Sequence, residues 1–279
     1  MEAGEPTRRP GRGEARAARA RLSSMRLATW NVNSVRARLE RLTYWLGEHR
    51  PDVVCLQETK CTDEQFPREP LEELGYHIET FGQRTYNGVA ILSRNRPDEV
   101  LRGLPGEDAE AQRRVIGATF GELMVLNLYV VNGEAVTSPK YAFKLEWMKR
   151  VAEFVAGHYD MAEKVVLCGD FNVTFDDRDV HDPAAWREQV LCSTPEREAL
   201  RHIMAPGFGD AFRQFHPEGG HYTWWDFRTR AFSGDRGLRI DHFLMSPPAL
   251  AACRAVEIDK LARGGEKPSD HAPVLATLE

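Results

Sequence analysis

Short apolar runs alternate with polar stretches along this chain, and several runs stop abruptly on an amide or a carboxylate. Val165-Val166-Leu167-Cys168 shows the pattern most clearly: four apolar or small residues in a row, as in a strand covered on both faces. Gly169 breaks the run, and Asp170 and Asn172 follow on either side of Phe171. In a strand these two polar side chains would point the same way. On these residues alone the segment reads equally as a site or as a turn, because Asp and Asn both satisfy turn backbone.

The same pattern recurs. Arg26 to Asn31 reads as a first strand with Asn31 at its end. Ser34 is the expected N-cap of the next helix, whose apolar stripe is Leu39, Leu42, Trp45 and Leu46 and whose end is marked by Pro51. Val53 to Thr59 is a second strand with Glu58 at its tip. Tyr86-Asn87-Gly88 signals a turn into the strand Val89 to Leu92. Val115 to Phe120, the tight turn Gly121-Glu122 and Leu123 to Val131 read as a meander, with Tyr129 near its last strand end. Ser138 and Pro139 open a helix with Leu145, Met148, Val151 and Val155 on one face, closed by Gly157. Residues 175–186 are acidic and irregular and read as a surface loop. Ser193 and Glu196 form a capping box for a helix ending near Met204. Arg239 to Met245 and Ala272 to Leu278 are the last strands. This order predicts one α+β domain, two packed sheets flanked by helices, over residues 25–279.

Composition narrows the class. With 279 residues and 42% hydrophobic content the chain can bury a substantial core. No apolar run approaches the roughly 20 residues that span a membrane. The five cysteines, Cys55, Cys61, Cys168, Cys192 and Cys253, are scattered and form no CxxC pair, which argues against a disulfide framework or a cysteine zinc site and for a reducing, intracellular setting. Residues 1–24 read as a disordered Arg-rich tail, with Met25 as an alternative start. Its six arginines and three glutamates contribute +3 to the net charge of −5, so the body carries −8. An acidic body does not advertise a nucleic-acid binder.

Ser269-Asp270-His271 precedes the last strand. It reads as a turn with an incidental histidine, as part of a serine hydrolase lacking the G-x-S-x-G elbow, or as one member of a larger set. That set is Asn31, Glu58, Asp170, Asn172, Asp241, Asp270 and His271, whose strand ends can converge on one rim of a sandwich. Carboxylates and amides with one histidine and no thiolate suit Mg²⁺ or Mn²⁺ rather than zinc. A hard cation, a carboxylate to deprotonate water and donors for non-bridging oxygens are what phosphodiester hydrolysis needs.

W-N-V-N-S at 30–34, L-Q-E-T-K at 56–60, N-G-V-A at 87–90, L-Y-V-V-N-G at 128–133, G-D-F-N at 169–172, T-W-W-D-F-R at 223–228, G-L-R-I-D at 237–241 and P-S-D-H-A-P at 268–273 occur in that order. From Met25 onward the chain resembles the exonuclease III family of apurinic/apyrimidinic endonucleases, within the endonuclease/exonuclease/phosphatase superfamily. The resemblance implies a four-layered α/β sandwich with two packed, mainly antiparallel sheets. It implies a Mg²⁺-dependent phosphodiesterase (Mn²⁺ substituting) that acts in base excision repair on double-stranded DNA with abasic sites or blocked 3′ ends. Such a protein is expected to be a monomer, cytoplasmic and nucleoid-associated, with no membrane partner.

By motif, the resemblance makes Glu58 the principal metal ligand with Asn31 beside it, and Asp270 a support for the metal or its water. Asp170, Asn172 and His271 belong to the same metal-proximal set. Asp170 would act on the attacking water or the leaving group, and Asn172, His271 and Tyr129 would contact phosphate. Asp241 would orient His271. Trp224 and Trp225 would wall a pocket for a baseless sugar, and Arg113 and Arg114 would contact DNA phosphates. Two positions depart from the family: Val131 replaces a common proline, and Asn33 stands where some members have aspartate, which counts against a second metal ligand there. The rival readings are a relative acting on another phosphoester, such as an inositol phosphate, a lipid or RNA, and a catalytically silent DNA-binding protein. Trp224-Trp225-Asp226 and Gly237 to Asp241 favour the DNA-repair branch over the first, and the complete ligand set disfavours the second.

Overall fold

The computed structural model describes residues 24–108 and 110–279, so the tail expected over 1–24 lies, Ser24 apart, outside the described residues. Twelve strands form two six-stranded sheets. The first runs in the order β11 (Cys253–Ile258), β12 (Val274–Leu278), β1 (Met25–Asn31), β2 (Val53–Gln57), β4 (Val89–Ser93) and β3 (His77–Phe81). The second runs β5 (Glu99–Arg102), β6 (Val115–Phe120), β7 (Leu123–Tyr129), β8 (Lys164–Asp170), β10 (Asp241–Met245) and β9 (Gly209–Asp210). The β1–β2 and β7–β8 ladders are parallel and the other eight antiparallel, so the sheets are mixed but mainly antiparallel, as expected. The helices are α1 (Leu39–His49), α2 (Glu69–Glu72), α3 (Pro139–His158), α4 (Thr194–Met204), α5 (Ala211–Phe215) and α6 (Pro247–Ala252). None among the described residues is long and apolar enough to cross a membrane.

The continuous apolar runs explain the four layers. In β8, Val166 and Cys168 enter the core between the sheets, while Val165 and Leu167 pack under α3 and α4. In β1, Leu27 faces the inter-sheet core, while Ala28 and Trp30 pack against Leu42, Trp45 and Leu46 of α1. Alternate side chains are thus buried on opposite faces of the same strand.

Three expectations are corrected. Helix α1 starts at Leu39, and Ser34 sits in a turn at φ +86° instead of capping it. The chain beyond β1 stays paired with the chain beyond β2, Ser34 N–H donating to the Glu58 carbonyl at 2.7 Å and Val35 N–H to that of Thr59 at 3.2 Å. In α3 the buried face is Tyr141, Lys144, Trp147, Met148, Val151 and Val155, with Leu145 only half-buried. The acidic stretch 175–186 is not wholly surface, because Asp179 is fully buried, bonded to the Arg239 and Arg213 guanidinium groups. Strands β3, β5, β9 and β11 were not legible as strands, and they are the four edges of the two sheets.

At Gly169 the two central strands of the second sheet come into close contact. Its φ is +139°, and a Cβ there would lie 1.9 Å from the Leu128 carbonyl oxygen of β7. Gly169→Ala is expected to lower unfolding free energy in urea by at least ~2 kcal/mol. A midpoint equal to the parent's would show that the β7–β8 contact yields freely.

Candidate active site

The polar strand ends meet on one rim. Asn31 ends β1, Glu58 follows β2, Tyr129 ends β7, Asp170 ends β8, Asp241 opens β10, and His271 stands just before β12. The parallel pairs β1–β2 and β7–β8 each bring two carboxyl ends together, and the register Asp170↔Asp241 sets the start of β10 beside them. Beneath the rim a buried polar contact joins the sheets. Gln57 Nε2 donates to Thr29 Oγ1 (2.9 Å) and Asn127 Oδ1 (2.7 Å), and Asn127 Nδ2 donates to the Leu56 and Ala90 carbonyls at 2.9 and 3.0 Å. The buried bonds of Asn127 cross from β7 to β2 and β4 and fix how the sheets align.

The segment that read equally as a turn or a site is both. The strand stops at Asp170, whose Oδ1 accepts the Asn172 N–H at 2.8 Å, and Asn172 takes a left-handed φ of +49°. Glu58, Asn33 and Lys60 also have left-handed backbone, at φ +54°, +45° and +52°. Non-glycine residues held there store strain that clusters at functional sites.

One network joins most of the expected residues. Asn31 Nδ2 donates to Glu58 Oε1 (3.0 Å) and Asp170 Oδ2 (2.9 Å). The Tyr129 hydroxyl donates to Glu58 Oε1 at 2.7 Å. Asn172 Nδ2 donates to Asp170 Oδ2 and to the Val130 carbonyl, both at 3.0 Å, so its amide holds the carboxylate in place. His271 Nδ1 meets Asp241 Oδ2 at 2.9 Å, and its Nε2 stands 3.8 Å from Asp170 Oδ2. Asp270 accepts from Asn33 Nδ2 (2.9 Å) and from Trp224 Nε1 (3.1 Å). Ser269 is no nucleophile: its hydroxyl donates to the Asn31 carbonyl at 2.6 Å and accepts the His271 N–H at 3.2 Å, anchoring the loop.

The flanking residues divide. Half-buried Trp224 packs with Trp186 and with Val180, Leu191, Leu238 and Ile240 in a small apolar cluster beside Asp270. Trp225 is fully buried against Phe232, its Nε1 donating to Asp235, so it is a core residue and not a pocket wall. The Arg113 guanidinium lies 4.5 Å over the Phe81 ring. Arg114 is buried, lies 4.6 Å over the Tyr129 ring and donates to the Tyr129 carbonyl at 3.1 Å, so it braces Tyr129 and does not face outward.

Several supports were not read from the sequence. Lys144 of α3 is fully buried; its Nζ donates to the carbonyls of Asn172 (2.7 Å) and Asn132 (3.1 Å) and pairs with Glu196 of the capping box. A lysine within an apolar helix face was the one available signal. Asn132 Nδ2 donates to Asn172 Oδ1 at 3.0 Å. Arg239, two residues before Asp241, is fully buried between Asp179 and Asp210. Thr223 Oγ1 accepts the N–H groups of Ile240 and Asp241 at 3.0 and 3.1 Å.

Along this rim two places could hold a cation. Asp170, Asp241 and His271 present ligand atoms within 4.8 Å of one another, a candidate acidic metal site. There, both ring nitrogens of His271 already face carboxylates, and the imidazolium is itself the cation. At the second place the Lys60 ammonium stands 2.7 Å from Glu58 Oε2 and 2.6 Å from Asn33 Oδ1. A positive group thus already rests where side-chain oxygens converge. With Asn31 and Asp270 nearby, this donor set consists of oxygens and fits a hard divalent ion.

The profile of the Endonuclease/Exonuclease/phosphatase family matches residues 28–271. The chain is 35% identical over 267 residues to exodeoxyribonuclease III of Haemophilus influenzae, covering 91% of this chain and all of that one. Among solved structures it is similar to the 3′ phosphatase from Neisseria bound to product DNA hairpin, at TM-score 0.88 and 44% identity, covering 91% of this chain and 99% of that one. It is also similar to an AP endonuclease from Archaeoglobus fulgidus, at TM-score 0.87 and 36% identity, with the same coverage.

Electrostatics separates the two carboxylates that Asn31 bridges. Burial pushes Asp170 up to about 7, with Asp241 and Glu58 adding to the rise and His271 and Asn31 limiting it. Burial also opposes charge on Glu58, but Lys60 and the hydrogen bonds from Asn31, Lys60 and Tyr129 outweigh it and hold Glu58 below the usual carboxylate range. Glu58 therefore stays ionised at neutral pH, while Asp170 can gain and lose a proton. Burial disfavours the imidazolium of His271, yet Asp241, Asp170 and Asp270 together lift it to about 10. A raised pKa means the charged ring persists below that value. Nitrogen-15 NMR at pH 8 is expected to show both His271 ring nitrogens protonated, and Asp241→Asn to convert the ring to its neutral form. A neutral ring in the parent at pH 8 would remove the imidazolium from the site.

Proposed function

The chain belongs to the endonuclease/exonuclease/phosphatase family and is a hydrolytic DNA-repair nuclease of the exodeoxyribonuclease III type, and we propose that it cuts the DNA backbone 5′ to abasic sites and clears blocked 3′ ends. The observation that carries this reading is the gap between Asp170 and His271. Nε2, which bears a hydrogen in the imidazolium that Asp241, Asp170 and Asp270 favour, stands 3.8 Å from the carboxylate oxygen, beyond hydrogen-bond length. A phosphoryl oxygen can accept that hydrogen while a water beside it is activated by Asp170.

Asp170 takes the proton of the attacking water as the water oxygen bonds to phosphorus. The bond from phosphorus to the 3′ oxygen breaks, and the proton passes to that oxygen, leaving a 3′-hydroxyl and a 5′-deoxyribose phosphate. His271, held by Asp241, donates to a non-bridging oxygen and meets the charge that develops there. Tyr129, whose hydroxyl burial and Glu58 keep protonated, turns its hydrogen bond toward phosphate. Asn172 keeps Asp170 in position. Glu58 and Asn31 would hold Mg²⁺ or Mn²⁺, with Asp270 and Asn33 beside them. When bound, such an ion neutralises charge on the phosphoryl and leaving oxygens. Trp224 and its apolar neighbours accept the flipped sugar, which lacks the base that would crowd them. Arg113 contacts the backbone of the duplex. The Neisseria relative is a 3′ phosphatase and the Archaeoglobus relative an AP endonuclease, so both activities are reasonable for this arrangement.

A duplex carrying one tetrahydrofuran abasic analogue is expected to be incised 5′ to the lesion with Mg²⁺ present and left intact in EDTA. No incision at low salt with either Mg²⁺ or Mn²⁺ would sink the proposal. Asp170→Asn and His271→Asn are each expected to slow incision by ~10²–10⁴-fold while the protein remains folded. Since Asp170 must be deprotonated to accept a proton, the parent's rate should rise through about pH 7. A flat profile across that range would remove Asp170 as the acceptor.

A further inference from the structure

A second group of ligand-type side chains lies outside the catalytic network, on the segment leaving α5. His216, Glu218 and His221 stand in the run H-P-E-G-G-H, and their ligand atoms lie within 4.8 Å of one another. Glu218 Oε1 is 2.9 Å from His221 Nε2 and 4.0 Å from His216 Nδ1.

The surroundings fix His216 and the loop backbone. His216 Nε2 lies 2.8 Å from the Val256 carbonyl of β11. A carbonyl only accepts, so Nε2 carries the hydrogen and Nδ1 of the neutral ring offers its lone pair on the Glu218 side. Ligating histidines are generally held through their other nitrogen in this way. Phe212 stacks on the same ring at 4.5 Å and 26°. The Arg213 guanidinium donates to the carbonyl of His216 at 3.0 Å and to that of Glu218, and pairs with buried Asp179, so the loop backbone is tied down. Gly219 and Gly220 then turn the chain back to deliver His221. Gly220 has φ +88°, and a Cβ on Gly219 would lie 3.1 Å from the Arg178 carbonyl.

We propose that His216, Glu218 and His221 bind a zinc-class divalent ion, distinct from the catalytic metal, and that this ion ties the two ends of the 216–221 loop together. Two imidazoles and one carboxylate form a borderline donor set that favours Zn²⁺ over Mg²⁺ and leaves a further position open. A cavity of about 450 Å³ lined in part by His216, His221 and Tyr222 adjoins the two imidazoles. Binding places the ion between His221 Nε2 and Glu218 Oε1, and the neutral ring then carries its one hydrogen on Nδ1. The location gives the ion a structural task. Helix α5 directly follows β9, an edge of the second sheet, and packs on β11, an edge of the first. An ion closing this loop stiffens it where His216 is bonded to β11, just before the chain runs on to Thr223 and Trp224.

The test uses the full-length, tag-free protein with Mg²⁺ in large excess, so that the catalytic oxygens are engaged. Calorimetric titration with ZnCl₂ is expected to show uptake of one ion per chain and a rise in melting temperature. His216→Gln and His221→Gln should each weaken uptake by at least ~10-fold, whereas Glu58→Gln should leave it unchanged. Equal Zn²⁺ affinity in the parent and both histidine variants, or no uptake by the parent, overturns the proposal. Co²⁺ offers a reading that needs no variant: intense visible absorption of a four-coordinate ion is expected, and a pale six-coordinate spectrum alone would overturn it.

Discussion

The hydrogen bond between Asp241 and His271 is the interaction on which the rest of the site depends. Asp241 opens β10 in the second sheet, and His271 precedes β12 in the first, so this 2.9 Å contact spans the two halves of the sandwich. Both groups are almost fully buried. A charge in such a place is tolerated only when a partner compensates it, so neither residue can function if the sheets shift. The Gln57–Asn127 contact beneath it applies the same constraint with neutral groups. Alignment of the sheets and assembly of the site are therefore one event.

From that alignment the division of labour among the carboxylates follows. Glu58 sits beside Lys60 and accepts from Tyr129 and Asn31, and it remains ionised. Asp170 is more deeply buried, near other carboxylates, and its proton is free to come and go near neutrality. Two chemically similar side chains bridged by one amide acquire separate tasks from their surroundings. Further layers keep those surroundings fixed. Lys144 and Glu196 hold the Asn172 turn from one side. Arg239, locked between Asp179 and Asp210, and Thr223, bonded to the backbone of Asp241, hold the other. The loop carrying His216, Glu218 and His221 joins the same framework through Arg213 and Asp179.

The strands that escaped the sequence reading share a physical cause. β3 (H-I-E-T-F), β5 (E-V-L-R), β9 and β11 (C-R-A-V-E-I) are the outer strands of their sheets. An edge strand buries less surface and carries mixed polar and apolar residues, so its signal is diluted. The central strands, buried on both faces, announced themselves as unbroken apolar runs. The misplaced start of α1 and the buried Asp179 have a different origin. There, pairing with residues distant in sequence outweighed local preference.

The sequence by itself determined the alternation of elements, the central strands, the apolar faces of the helices and the identity of the polar residues at the strand ends, because each is a local property of spacing and residue type. Its motifs also pointed to the family to which the chain belongs. The tertiary structure decided what locality cannot: that Trp225 is core while Trp224 is bonded to Asp270, that Arg114 braces Tyr129, and that a lysine within an apolar helix face holds the Asn172 turn. It also decided that Asp170 and Glu58 differ in charge, since a proton's affinity depends on burial and on neighbours brought from other strands. Sequence could name the residues, but the environment that sets their chemistry exists only once the two sheets have closed on each other.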